Sequence, residues 1–182
     1  MPITTIDPNA ALIVVDLQEI QRSLPHHHDL DTVIENTTKL TTAFRERDLP
    51  VVLVNVGGMP EGRTAAPTGD MQFPDNWNEL LPELDQQPDD LTVTKTTWGA
   101  FHNSDLADRL RTRGVTNVVI AGVATGFGVD STAREAHSAG FNVTLVTDAM
   151  TDHDGDAHEH AVTKIFPMLG ETGTTAEVLA QL

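Results

Sequence analysis

Residues 117–134 carry the clearest indication of the fold, and they read NVVIAGVATGFGVDSTAR. After Asn117, the next six of them form a continuous apolar run, so residues 117–123 are typical of a parallel strand covered on both faces. A turn containing Gly126 and Gly128 follows, and residues 129–139 then show a helical pattern. The stretch therefore predicts a strand, a tight turn and a helix. The turn contains no serine, cysteine or lysine that would act as a nucleophile.

The same alternation of strand and helix recurs along the chain. Apolar runs predict further strands at residues 11–16, 51–56, 91–95 and 141–146, and helical patterns occupy residues 32–47, 105–113 and 157–169, with a capping box at 174–177. Strands that alternate with helices favour right-handed βαβ crossovers. We predict an α/β fold of three layers, α/β/α, on a mostly parallel sheet of five to six strands, with residues 1–182 forming a single domain.

The composition argues against several classes of function. Eleven Lys and Arg against 27 Asp and Glu give a formal net charge of -16. This charge repels phosphate backbones and anionic lipids, so we expect neither nucleic acid nor membrane as a partner. The absence of cysteine removes disulfides, thiolate metal sites and thiol catalysis. No apolar run approaches the roughly 20 residues of a bilayer span, and no secretion signal is seen, so we expect a cytoplasmic protein.

Three features lie at predicted carboxyl ends of parallel strands, where ligands bind in sheets of this kind. They are Asp16, Lys95 and the turn at residues 122–128. Asp16 follows five apolar residues, so burial is expected to raise its pKa, and Lys95 is the candidate cation beside it. Such a pair either passes a proton or simply ties two strand ends together.

The turn at residues 122–128 has two possible roles. Its backbone amides could bind an anion or an oxyanion, or its glycines could simply allow close packing. Its sequence matches neither the glycine-rich motifs of nucleotide-binding proteins nor the G-x-S-x-G motif of serine hydrolases.

Other polar residues favour structural roles. Residues 57–90 are rich in Pro, Gly, Asp and Gln, which predicts a long loop that covers a site, with Arg63 as a candidate carboxylate anchor. Residues 26–28 are three consecutive histidines, which cannot all point at one ion from regular structure, so a solvated loop is favoured over a metal site. The histidines within residues 153–160 are interpreted as surface residues, and Asp148 as a capping or turn residue.

Four motifs recur together in one known family of enzymes. They read VVDLQ at residues 14–18, KTTWGAF at 95–101, GVAT at 122–125 and STAREA at 131–136. Together they resemble the isochorismatase-like hydrolases, also called the cysteine hydrolase superfamily. The resemblance runs from about Ala11 to the C-terminus and implies the isochorismatase-like fold. Stand-alone members that lack the cysteine are the most similar.

The resemblance assigns catalytic roles to particular residues. It implies a triad of Asp16, Lys95 and a cysteine, but the cysteine position falls on Gly128. It also implies that the backbone amides of Ala124 and Gly128 form an oxyanion hole, with a cis peptide bond between Val123 and Ala124. A glycine cannot attack a carbonyl, so the thiolate chemistry of nicotinamidases is not expected here.

Substrate and metal contacts follow from the same resemblance. It implies that Gln18, Trp98 and Phe101 bind the substrate, although the two aromatic residues fit an ordinary core equally well. Many nicotinamidases of the superfamily bind a metal with an Asp-x-His pair after the second strand, but residues 55–58 read NVGG here. We therefore expect no metal and no other cofactor.

The resemblance also implies a reaction. Isochorismatases cleave a vinyl ether without a thiol, and the glycine at this position is similar to theirs. That reaction needs a proton at the enol-ether carbon and then water, so Asp16 is expected to be the acid and Lys95 to position it. We predict a small-molecule hydrolase without a covalent intermediate, acting on a vinyl ether such as isochorismate. The alternatives are an inactive ligand-binding protein and an amidase that uses water, and a homo-oligomer, either dimer or tetramer, is expected.

Overall fold

A parallel sheet forms the centre of the molecule. The computed structural model describes residues 3–60, 62–65 and 73–182. Its six strands are β1 (Ala10–Val15), β2 (Val51–Val56), β3 (Leu91–Lys95), β4 (Asn117–Val123), β5 (Asn142–Thr151) and β6 (Glu171–Gly173). Neighbouring strands all run parallel, in the order β3-β2-β1-β4-β5-β6. The predicted α/β fold with a parallel sheet is therefore confirmed.

Helices cover both faces of the sheet. They are α1 (Leu30–Arg45), α2 (Leu106–Thr112), α3 (Asp130–Ser138), α4 (Gly155–His160) and α5 (Thr175–Gln181). Helices α1 and α5 pack in one apolar core, and α2 and α3 in the other. Consecutive β1 residues such as Leu12 and Ile13 belong to opposite cores, which explains why β1 is apolar throughout. Within the described ranges, no helix is both long and apolar enough to cross a bilayer.

The strand order changes direction between β1 and β4. The chain extends from β1 through β2 to β3 on one side, and from β4 through β5 to β6 on the other. Where the order changes in this way, the connections leave a crevice at the carboxyl ends of the two strands. Asp16 directly follows β1, and residues 124–128 directly follow β4. The topology therefore brings Asp16 and the glycine-containing turn to the same crevice.

Strands β5 and β6 differ from the sequence prediction. The apolar pattern ended at residue 146, but β5 continues to Thr151. Asp148 lies within this extension, and its Oδ1 accepts hydrogen bonds from the amide (2.6 Å) and the hydroxyl (2.8 Å) of Thr175. It thus docks the start of α5, as a capping residue would. Strand β6 has only three half-buried residues, so no apolar run marks it.

The helix predicted over residues 157–169 is divided into shorter pieces. Helix α4 passes into a π-helical turn (Ala161–Ile165) and then a 3-10 turn (Phe166–Met168). Pro167 has no amide hydrogen and its ring clashes with the preceding turn, so regular helix cannot continue through it. The capping box at the start of α5 is present as predicted.

Replacing Gly122 by Ala should be far more destabilising than replacing Gly140 by Ala. Both glycines have positive φ, 120° and 89°, so either alanine adds backbone strain of about 1–2 kcal/mol. A Cβ on Gly122 would also overlap the Val15 carbonyl of the neighbouring strand, whereas one on Gly140 meets no described atom within 4 Å. We expect Gly122→Ala to cost at least about 2 kcal/mol more in urea unfolding. Equal losses for the two variants would contradict the close approach of β1 and β4.

Candidate active site

Asp16, the residue directly after β1, has an uncommon backbone conformation. Its φ is 52°, in the left-handed region that few residues other than glycine adopt, although Asp tolerates it better than most. Its amide still donates to the carbonyl of Val54 at 2.9 Å. The chain therefore turns sharply at the edge of the sheet while Asp16 stays attached to it.

Asp16 and Lys95 form a buried ion pair. Lys95 Nζ lies 2.7 Å from Asp16 Oδ2 and also donates to the carbonyl of Thr97 at 3.2 Å. Asp16 is 6% exposed and Lys95 is 5% exposed. Because β2 separates β1 from β3, the lysine side chain spans the end of β2 to reach the carboxylate. Burial raises the pKa of Asp16 to about 6, and the positive charge and hydrogen bond of Lys95 oppose this rise.

The two carboxyl oxygens of Asp16 have different surroundings. Oδ2 accepts the hydrogen bond from Lys95, whereas Oδ1 is buried and has no partner among the described residues. A buried acceptor of this kind is unfavourable until a proton, a water or a ligand pairs it. Oδ1 is therefore the oxygen on which a proton of Asp16 is favoured.

Gly128 directly faces this carboxyl group. A Cβ on Gly128 would lie 2.9 Å from Asp16 Oδ2, 3.1 Å from Val15 Cγ1 and 3.2 Å from the Val123 carbonyl. Any side chain at position 128 would thus touch the ion pair. The structure brings together the three positions that the resemblance assigned to the triad, and it leaves the third without a reactive group.

The turn after β4 has the predicted backbone. The peptide bond between Val123 and Ala124 is cis. A π-helical turn (Thr125–Val129) follows and leads into α3. Two amides of this turn donate to the carbonyl of Ala124, each at 3.1 Å. The turn thus wraps closely around Ala124, which lines the same cavity as Asp16 and Gly128.

A cavity of about 350 Å³ opens beside the ion pair. Aromatic rings form much of its wall. Trp98 packs edge-on against Phe127 with ring centroids 5.0 Å apart, and Phe73 lies 4.8 Å from Trp77. Trp98 is 52% exposed and Phe127 is 45% exposed. Exposed aromatic side chains beside a buried polar group are typical of a small-molecule site.

Phe101 and Gln18 differ in where they lie relative to the cavity. Phe101 does not belong to the described cavity wall: its ring lies 5.9 Å from that of Phe141 and packs against the core. Phe127 takes its expected place beside Trp98. Gln18 does line the cavity, but Oε1 accepts from the Val56 amide at 2.8 Å and Nε2 donates to a loop carbonyl at 3.3 Å. Its amide therefore fastens the covering loop to the sheet.

Asp152 is a buried carboxylate that the sequence analysis missed. It is fully buried, and its oxygens accept hydrogen bonds from the amides of Gly126 (2.6 Å) and Asp154 (3.1 Å). Its carbonyl accepts from the amide of His27 at 2.8 Å. Asp152 thus fastens the turn after β4 to the end of β5. Residues 152–156 looked like an acidic surface, and because the apolar pattern of this strand ended at residue 146, no local pattern placed Asp152 at the end of a strand.

Helix α3 fastens the segment that follows Lys95. Glu135 Oε2 accepts hydrogen bonds from the amides of Phe101 (2.9 Å) and His102 (3.2 Å). Thr132 Oγ1 accepts from the amide of Ala100 at 3.2 Å and donates to the carbonyl of Gly128 at 2.7 Å. One helix therefore sets the position of both the lysine segment and the turn.

The histidines of residues 26–28 meet two histidines from a distant part of the chain. The ring of His26 lies 5.0 Å from that of His153, and the ring of His28 lies 4.5 Å from that of His158. Burial lowers the pKa of His158, and neighbouring histidines lower it further. Among the described residues, no group of three or more metal-ligating side chains is arranged to hold an ion.

Asp152→Ala should destabilise the protein more than Asp154→Ala. Both carboxylates accept two backbone amides, but Asp152 is buried and Asp154 is exposed. Removing the buried acceptor should cost about 2–3 kcal/mol, against about 1 kcal/mol for the exposed cap of α4. Urea unfolding of the two variants measures this difference, and similar losses would show that Asp152 does not hold the turn.

Asp16→Asn should change how stability depends on pH. Because the pKa of Asp16 is raised to about 6, the folded state binds this proton more tightly than the unfolded state does. The resulting stabilisation is complete below about pH 4 and is lost as the pH rises through about 6. Between these limits, wild-type stability relative to Asp16→Asn should fall by about 1.4 kcal/mol per pH unit.

Urea unfolding at several pH values tests this expectation. Asp31→Asn is the matched control, since Asp31 is an exposed carboxylate in the first turn of α1. A difference between wild type and Asp16→Asn that stays constant with pH would contradict the buried titration.

Comparison with known proteins supports the same interpretation as the geometry. A model of the isochorismatase domain matches residues 10–177. The uncharacterized isochorismatase family protein YwoC of Bacillus subtilis is 37% identical over 179 residues, covering 94% of this chain and 93% of its own length. An isochorismatase family protein from Burkholderia thailandensis has a solved structure with a TM-score of 0.92 and 39% identity, covering 98% of this chain and 97% of that one.

A further relative carries a named activity. The ureidoacrylate amidohydrolase RutB of Pseudomonas syringae pv. syringae is 31% identical over 166 residues, which cover 74% of this chain and 68% of RutB. Similarity to RutB alone does not show that this chain acts on the same substrate. The match over residues 10–177 and the relatives that span nearly the whole chain lead to one conclusion. The chain belongs to the isochorismatase family, whose members are hydrolases.

Proposed function

We propose that this protein hydrolyses a small molecule without a covalent intermediate, by proton transfer from Asp16. The reaction that this arrangement supports best is hydrolysis of a vinyl ether such as isochorismate, the compound after which the family is named. The observation that carries the proposal is the buried Asp16 carboxyl, which faces Gly128 where a nucleophile would otherwise stand. The chain has no cysteine at all, so a thiolate mechanism is not available to it.

The proposed reaction begins with a proton on Asp16 Oδ1. A pKa of about 6 leaves part of the Asp16 population protonated near neutral pH. Oδ1 gives this proton to the terminal carbon of the enol ether, which becomes an oxocarbenium ion. Water adds to that ion, and the resulting hemiketal separates into a ketone and an alcohol. With isochorismate the ketone is pyruvate, and the proton lost by the water restores the acid.

Other residues have supporting roles in this proposal. Lys95 stabilises the Asp16 carboxylate that remains after the proton has left, because its Nζ is 2.7 Å away. Gly128 leaves room beside the carboxyl for the substrate and the water. The amides of Ala124 and Gly128 are the proposed donors to a substrate oxygen. Trp98 forms an apolar wall for the substrate, and Gln18 holds the covering loop.

A second candidate reaction is hydrolysis of an amide by an activated water. The amidohydrolase RutB among the relatives favours it, and so does the unpartnered Asp16 Oδ1, which would accept a proton from water when ionised. The two reactions need opposite protonation states of Asp16. Vinyl-ether hydrolysis should decline as the pH rises through about 6, whereas amide hydrolysis should increase. Ligand binding without any turnover is the third possibility that these measurements separate.

The assembly and cellular location that we expect remain predictions. The chain is expected to form a homo-oligomer, a dimer or a tetramer, as closed symmetric assemblies commonly do. Its lack of cysteine favours a cytoplasmic location. Its strong negative charge favours small molecules over nucleic acid as partners.

Asp16→Asn should reduce vinyl-ether hydrolysis by about 100-fold or more, because it removes the acid and keeps the shape. The assay measures release of pyruvate from isochorismate, and of methyl pyruvate from isochorismate dimethyl ester. Asp31→Asn, an exposed carboxylate, is the control and should retain wild-type turnover. Turnover by Asp16→Asn equal to wild type would overturn the mechanism. Release of product from neither compound would reject vinyl ethers, and ammonia release from primary amides would then support the second candidate.

A further inference from the structure

The cavity beside Asp16 has no free Lys or Arg side chain among its described lining residues to receive a negatively charged substrate. His153 also lines it, and the Nδ1 of this residue is hydrogen-bonded to the Pro25 carbonyl at 2.9 Å. Lys95 is the only Lys or Arg among its described lining residues, and its ammonium group already binds Asp16 and the Thr97 carbonyl. Arg63, the candidate carboxylate anchor, is exposed and is not part of the described wall. Residues 61 and 66–72, which the structure does not describe, contain no Lys, Arg or His. A carboxylate in this cavity would therefore be desolvated with no free Lys or Arg among the described lining residues to pair with it.

Gln21 is an unpaired polar residue in the same wall. It lies in a 3-10 turn (Glu19–Ser23) directly after the segment that carries Asp16, and it lines the cavity. Its side chain is 7% exposed, and its Oε1 is buried without a partner among the described residues. Buried amide oxygens are nearly always paired in native proteins, so one that is left unpaired beside a cavity indicates where a ligand supplies the donor.

Gln18 and Gln21 therefore differ in their hydrogen bonding. Both polar atoms of the Gln18 amide have a partner, the Val56 amide and a loop carbonyl, whereas the Gln21 oxygen has none among the described residues. The surrounding wall contains flat aromatic surfaces, which stack with planar ligands of any charge. The charge of a planar ligand and its hydrogen bonds to the wall therefore determine whether it binds.

We infer that Gln21 determines specificity, and that the site takes an uncharged, planar substrate that donates an N–H or O–H hydrogen bond to Gln21 Oε1. A carboxylate substrate is disfavoured twice, since it meets no free Lys or Arg among the described lining residues and offers no donor to Gln21 Oε1. The inference rests on the proposed function only for the location of the site beside Asp16. It narrows the proposed vinyl ether to an uncharged one, and it selects against dianionic isochorismate itself.

Binding of three matched probes tests the inference without any catalysis. Benzamide is planar, uncharged and an N–H donor; methyl benzoate is uncharged and has no donor; benzoate is an anion of the same shape. Both tryptophans of the chain, Trp77 and Trp98, line the cavity, so intrinsic fluorescence reports binding there. At pH 7.5, benzamide should bind about tenfold or more tightly than benzoate, with methyl benzoate between them. Methyl benzoate lacks the hydrogen bond to Gln21, and benzoate in addition must lose the water around its charge.

Two substitutions at position 21 identify the residue responsible. Gln21→Met keeps the volume and removes the acceptor, so the affinity for benzamide should fall about fivefold to that for methyl benzoate, which should not change. Gln21→Lys supplies the missing cation, so the preference should shift towards benzoate. Circular dichroism and urea unfolding verify that each variant folds.

The possible outcomes are distinct. Tightest binding of benzoate by wild type, or no binding of any probe, would overturn the uncharged-substrate inference. Equal effects of Gln21→Met on benzamide and methyl benzoate would overturn the assignment of Gln21. Faster turnover of isochorismate than of its dimethyl ester would overturn the charge preference while leaving the vinyl-ether proposal intact. The expected binding order without hydrolysis of either vinyl ether would support the specificity and reject only the reaction.

Discussion

The buried ion pair between Asp16 and Lys95 is the interaction on which the site depends. Removing two charges from water is costly, and their attraction compensates only when both ends are held in good geometry. The sheet provides this geometry, because it holds β1 and β3 at a fixed spacing with β2 between them. Burial raises the pKa of Asp16 and Lys95 limits the rise, which leaves the value at about 6. Neither residue alone would give an acid that titrates close to neutral pH.

The groups that support the site are carboxylates and hydroxyls bound to backbone amides. Asp152 holds the turn after β4, and Glu135 holds the segment after Lys95. Thr132 connects the two, because it bonds to Ala100 on one side and to the carbonyl of Gly128 on the other. None of these side chains lines the described cavity. The groups proposed to react therefore come from strand ends and the turn, while their positions are set by residues on α3 and at the end of β5.

Local patterns predicted the parts of the molecule that depend on burial in a parallel sheet. The apolar runs predicted the bounds of β2, β3 and β4. Because parallel strands end at one edge, Asp16, Lys95 and the turn at residues 122–128 were expected at that edge, and the family resemblance added Gly128 as the third position. Other features depend on distant partners that no local pattern reveals. Asp152 is buried where it accepts a hydrogen bond from the Gly126 amide in the turn after β4. The ring of Phe101 lies beside that of Phe141, and its backbone amide donates to Glu135. The strand β6 is too short and polar for any periodicity to mark it.

The charge of the cavity and the acidity of Asp16 are linked. A second cation placed to bind a carboxylate substrate would also stabilise the ionised form of Asp16 and lower its pKa from about 6. The fraction of protonated acid near neutral pH would then fall, and with it the supply of protons for the proposed reaction. A site that keeps part of the Asp16 population protonated near neutral pH therefore favours recognition by neutral groups, such as the unpaired oxygen of Gln21, over recognition by a free Lys or Arg. The same reasoning explains why Gly128 suits the proposed chemistry: a side chain there would press on the Asp16 carboxyl oxygen that Lys95 binds.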